Sequence, residues 1–97
     1  IDYLMDNVIT KEKLEKYFSV TRAALVKAGE SVYDGKEEYA KEIDDMVKNY
    51  LSDAEHFMEK GDFVNAFAAL NYGHGWLDAG VRLDVFDVDD DKLFTVK

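Results

Sequence analysis

Asn71, His74, Asp78 and Arg82 have residue types and a spacing suited to chemistry. His74, Asp78 and Arg82 follow at i, i+4 and i+8, and Asn71 precedes His74 by three. On a helix all four share one side. A histidine and a carboxylate one turn apart can chelate a divalent metal. They can also form an acid–base pair in which the carboxylate orients the imidazole. The third reading is structural: Asp78 bridges His74 and Arg82 and satisfies polar groups at a helix interface. That ladder is the expectation, and ligand, metal or acid–base use are the alternatives.

Asp53 is expected to join this cluster from a preceding helix, because a chain folding back at Gly61 brings both segments to similar depth. His56, beside it, falls on the outer side and is expected to be solvated. Tyr50, Tyr72 and Trp76 could line a ligand pocket, although aromatics at helical spacing usually pack against core or interface. Asp87, Asp89 and Asp91 alternate as in a calcium loop, but the glycine and distal glutamate of that loop are missing. A solvated acidic turn is expected there. No glycine-rich phosphate loop, zinc signature or nucleophile elbow is present. Neither a metal nor another cofactor is expected.

These residues need elements to hold them. The spacing predicts helices over about residues 11–28, 35–60 and 62–83, with a tail over 84–97. Thr10 is a natural N-cap. Leu14, Tyr17, Phe18, Thr21, Ala24, Leu25 and Ala28 then recur at helical steps, and Gly29 is expected to stop the helix. Asp34 with Glu37 reads as a capping box for the second helix, with Ser31 the competing cap. That helix carries Tyr39, Ile43, Met46, Val47, Tyr50, Ala54, Phe57 and Met58. Gly61 ends it and Asp62 caps the third with almost no loop between, so the two run antiparallel.

The third helix is expected to bury Phe63, Ala66, Phe67, Leu70, Gly73, Leu77 and Val81. Gly73, Gly75 and Gly80 stand inside it, where each glycine costs about 1 kcal/mol relative to alanine. Close packing of a neighbouring backbone is the expected reason. Val85–Val88 and Leu93–Val96 read as two short extended pieces about a turn, and Ile1–Ile9 as a lead-in. The fold class is all-α: a three-helix up-and-down antiparallel bundle with a short extended C-terminal tail.

Composition bounds the function classes. The chain has 97 residues, enough for one domain with a small core. It has no cysteine, which excludes disulfides and thiolate metal sites. Its 21 acidic side chains outweigh 12 Lys and Arg, for a net charge of −9. Such a surface repels phosphate backbones and anionic membranes, so neither a nucleic-acid nor a membrane partner is expected. No apolar run approaches the roughly 20 residues of a membrane span and no signal-peptide pattern is visible. A cytoplasmic location is expected. The first residue is Ile1, and the native start is expected upstream.

Residues 52–86, SDAEHFMEKGDFVNAFAALNYGHGWLDAGVRLDVF, resemble the signature of a small archaeal family known as domain of unknown function 357. The likeness rests on Ser52-Asp53-Ala54, Gly61-Asp62, Ala66, Tyr72, His74-Gly75, Leu77-Asp78-Ala79-Gly80 and Arg82. It extends weakly to EKYFSVTRAAL, residues 15–25, and to LFTV near the end. The resemblance implies a three-helix bundle and an archaeal source, and it supplies no activity. The family tends to have alanine at Gly73 and glycine at Asp84, so Gly73 is not expected to be essential. The GDF turn also resembles a tetratricopeptide hairpin, but no repeat of about 34 residues follows. A noncatalytic module that binds a protein partner, or a second copy of itself as a homodimer, is the expected function. A ligand, metal or catalytic site on Asp53, His74, Asp78 and Arg82 is the alternative.

Overall fold

Each helix boundary follows from local chemistry. In a computed structural model that describes residues 8–95, α1 spans Lys11–Gly29, α2 Glu37–Glu59 and α3 Phe63–Arg82. The Thr10 hydroxyl accepts from the Lys13 N–H and the Asp62 carboxylate from the Asn65 N–H, so α1 and α3 start on side-chain caps. α2 starts differently. Lys36 is its cap residue and offers no side-chain bond. The Glu37 carboxylate accepts instead from the Gly35 N–H at 3.1 Å. The expected Asp34 box is therefore not formed: Gly35, at φ +85°, turns the chain between Asp34 and the helix.

α2 and α3 end in the same device. Gly61 lies at φ +77°, the Asp62 N–H reaches back to the Phe57 carbonyl at 2.9 Å, and the Gly61 N–H reaches Met58. After α3, Asp84 takes the left-handed position at φ +59°. The Val85 N–H bonds the Gly80 carbonyl at 2.8 Å and the Asp84 N–H bonds Val81. Both are Schellman motifs. Asp84 stands where the resembled family tends to have glycine, the residue that fits this conformation without strain. Gly29 does not stop α1 as expected. It stays helical, and Glu30 is the C-cap.

The packing is that of a three-helix bundle with α3 as the shared member. α2 makes the most extensive contact with α3, α1 docks mainly on α3, and α1 and α2 touch little. Leu14, Phe18, Ala24 and Ala28 of α1, Ile43, Val47, Leu51 and Ala54 of α2, and Ala66, Leu70, Leu77 and Val81 of α3 form one buried core. Phe63 and Phe67 are only half-buried, and Tyr39 is exposed. Leu51 enters the core where the expected seam had Tyr50. Residues 1–7 of the expected lead-in lie outside the described residues.

Two of the three α3 glycines mark close approaches. A Cβ on Gly73 would meet the Tyr50 Cβ at 3.0 Å, and one on Gly80 would collide with the edge of the buried Phe86 ring. Gly75 corrects the expectation: nothing lies within 4 Å of its missing Cβ, because it faces outward.

The tail also differs from expectation. Val32 and Phe86 pair as an isolated antiparallel bridge, and no strand forms among the described residues. The Tyr33 N–H bonds the Val85 carbonyl and the Asp87 N–H bonds Ser31. Residues 91–94 then form a helical turn and not a second extended piece, which seats Phe94 in the core at 4% exposure.

Two glycine substitutions should separate these environments. Gly80→Ala forces the buried Phe86 ring to move and should destabilise by about 1–3 kcal/mol. Gly75→Ala enters open space and should stabilise the fold by about 1 kcal/mol. Denaturant midpoints of the two variants, measured in dilute solution, check both signs.

Candidate functional site

The third helix turns His74 toward α1 and the tail, away from α2. The imidazole Nε2 lies 2.6 Å from the Leu93 carbonyl and Nδ1 3.0 Å from the Thr21 hydroxyl. A carbonyl oxygen only accepts, so Nε2 carries the hydrogen and donates. In the neutral ring Nδ1 then accepts from Thr21. Thr21 is a buried polar residue at 2% exposure, and this bond satisfies its hydroxyl inside the α1 stripe. Asp78, one turn on, stands 3.9 Å from Nε2. Its carboxylate accepts the Thr95 N–H at 2.8 Å and the Thr95 hydroxyl at 3.4 Å. The pair thus clamps the tail to α3.

The tail turn is held from within as well. Asp90 accepts the Lys92 N–H on its carboxylate at 2.9 Å, and its backbone carbonyl takes the Phe94 N–H at 3.0 Å. Lys27 of α1 lies 3.5 Å from the same side chain. The Lys92 bond, followed by Lys27, holds the Asp90 carboxyl below the usual carboxylate range. At the other end of the tail the Tyr33 hydroxyl donates to Asp87 at 3.2 Å. That bond, ahead of desolvation and the charge of Asp87, raises the phenol above its ordinary value.

The structure brings together only part of the expected cluster. His74 and Asp78 are adjacent, and Asn71 lines the same cleft, of about 330 Å³, with Tyr17, Thr21 and the tail. Asp53 is exposed on α2, away from this cleft, and does not join. Arg82 is exposed beyond the cleft, and Asp78 does not bridge to it. The reason is rotational. α3 meets α2 through Gly73 and Gly80, so the His74–Asp78 side faces α1 and leaves Asp53 on another surface. Arg82 stands one turn past Asp78, whose carboxylate holds Thr95. Tyr50 and Tyr72 pack ring against ring, tilted by 44° at 4.8 Å between centres, outside the cleft.

Chemically the arrangement is a fastening. Both imidazole nitrogens are engaged, and Thr21 is too deeply buried to serve as an accessible nucleophile. Among the described residues no three His, Asp or Glu side chains converge to hold a metal. Sequence reasoning missed Thr21, Leu93 and Thr95 as partners of His74 and Asp78. The available signal was a hydroxyl in an otherwise apolar α1 stripe, which requires a polar partner if buried.

His74→Ala should leave the Thr21 hydroxyl unpaired and free the tail. We expect a loss of about 1–3 kcal/mol and faster amide exchange at Phe94. Tail docking should also weaken in acid. The depressed Asp90 value means that its contribution is present above the ordinary carboxylate range and is lost as pH falls through the folded-state value. Amide protection at Lys92 and Phe94 should therefore fall in acid before that of α2, and Asp90→Asn should blunt the effect. Protection that stays flat into strong acid would contradict this account.

No helix among the described residues is long and apolar enough to cross a membrane. No curated protein and no solved structure matches the chain. A family model does match, over residues 10–86. The match runs from the α1 cap through all three helices to the Phe86 bridge, and ends before the Leu93–Thr95 segment that His74 and Asp78 hold. With that much of its length matched, the chain belongs to the family described as "Protein of unknown function (DUF357)".

Proposed function

We propose that this chain is a noncatalytic protein-interaction module of the archaeal cytoplasm, docking through the outer face of α3. The observation that carries the reading is the character of that helix. Val64, Ala68, Tyr72, Gly75, Ala79 and Leu83 recur at helical steps and fall within an arc of about 100°. All six are exposed, Val64 and Leu83 at 69% and Tyr72 at 62%. A helix apolar on its outward as well as its inward side is ordinarily covered all round. A contiguous apolar face on a folded domain marks an interaction surface. Tyr72 and the half-buried Trp76 supply amphipathic aromatic area of the kind enriched at interfaces.

The engaged state of His74 supports the noncatalytic part of the reading. The alternative, a small-ligand site, is carried by the cleft beside Asn71 and Asp78. A ligand bound there would raise the melting temperature by mass action.

A photo-crosslinking amino acid at Tyr72, compared with one at Lys48 on α2, tests docking in native extract. The expected result is a discrete protein adduct from position 72 and none from position 48. Equal labelling at the two positions, or none at either, would overturn the proposal. A metabolite that raises the melting temperature of the parent but not of Asp78→Ala would shift the assignment to the cleft.

A further inference from the structure

We infer that the occupant of the α3 face is a second copy of this chain, packed antiparallel across a two-fold axis. The inference rests on the reading of that face as a docking surface and names its partner.

The spacing of the stripe, in steps of 4, 4, 3, 4 and 4, is the same from either end, and the residues it pairs differ in size. Val64 and Leu83, Ala68 and Ala79, and Tyr72 and Gly75 are placed symmetrically about the midpoint between Gly73 and His74. A two-fold interface pairs residue i with j and j with i. Antiparallel α3 helices therefore set Val64 against the partner's Leu83, Ala68 against the partner's Ala79, and Tyr72 against the partner's Gly75. Each pairing matches a large side chain with a small one, or two medium or small ones with each other. Gly75 has open space where its Cβ would be, and it lies with Tyr72, Trp76 and Ala79 around an apolar groove of about 470 Å³. That groove provides a seat for the phenol of the partner's Tyr72.

Charge permits the same partner at this face. The chain carries −9, so two copies repel wherever carboxylates face each other. Between Asp62 and Arg82 the outer stripe carries no charge at all. At its ends the antiparallel arrangement brings Arg82 toward the partner's Asp62, and each helix N-terminus beside the partner's C-terminus, where the dipoles attract. One helix of 20 residues is about 30 Å long. A contact of that length falls below a standard interface area, so the dimer should dissociate in the micromolar range.

The chain has no cysteine, which makes the register directly readable. Ala68 and Ala79 lie eleven residues apart on one helix, about 16 Å, too far for an internal disulfide. Under oxidation the Ala68→Cys/Ala79→Cys double variant should form a covalent dimer in high yield. Ala68→Cys alone should not. Sedimentation equilibrium of the parent should show a reversible monomer–dimer equilibrium, and Tyr72→Asp or Gly75→Glu should raise its Kd at least ~10-fold without changing helix content. Gly75 lies on open surface, and Tyr72 is mostly exposed with its ring contact to Tyr50 outside the buried core, so loss of fold is not the expected outcome. A parent that stays monomeric through the micromolar range, or an Ala68→Cys single variant that crosslinks as well as the double, would overturn the two-fold pairing. If the parent is monomeric while position 72 still crosslinks a different protein, the homodimer fails and the interaction module stands. If neither association occurs, both fail.

Discussion

The third helix must find cover around most of its circumference. Its 20 residues include only His74, Asp78 and Arg82 as titratable side chains apart from Tyr72, while α1 and α2 are densely charged. Water cannot satisfy such a surface, so every other element is arranged around it. α2 takes one side, brought close by Gly73. α1 takes another, through Thr21 and the edge-on contact of Tyr17 with Phe67 at 5.2 Å between ring centres. The tail covers part of the remaining surface, with Phe86 against Gly80 and Phe94 in the core.

The polar residues of α3 follow from the same constraint. His74 and Asp78 lie at the border between the covered surface and solvent. There a short segment can be fastened by hydrogen bonds to its backbone, without any match to its side chains. The histidine is also the partner that lets Thr21 remain inside the α1 stripe. A group that could have served a metal or a substrate is instead engaged on both nitrogens. The chemistry suggested by its spacing is absorbed into tertiary structure.

The outer stripe of α3 is the part of that helix which the rest of the described chain leaves uncovered. Burial of an exposed aromatic or aliphatic side chain contributes roughly 1.5–3 kcal/mol, so an uncovered apolar face represents a large unused driving force. On a chain of net charge −9, a neutral strip is also where another acidic surface can approach with least repulsion. The proposed function accordingly rests on a surface and not on a cleft.

The helices were legible from the sequence alone because their signals are local. Thr10 and Asp62 cap through bonds to residues three ahead, and Gly61 reverses the chain through its own φ. The Leu14–Ala28 and Ala66–Val81 stripes are periodic within a few turns. Periodicity shows which residues of a helix share a face; it does not show which neighbour that face meets. Only the tertiary arrangement decided that His74 turns to Thr21 and Leu93, that Asp53 and Arg82 stand apart from it, and that Gly75 faces open space while Gly73 and Gly80 are packed. The tail depended on tertiary structure most of all, because its turn at 91–94 is stabilised by Lys27, His74 and Asp78, residues distant in sequence whose bonds no local pattern encodes.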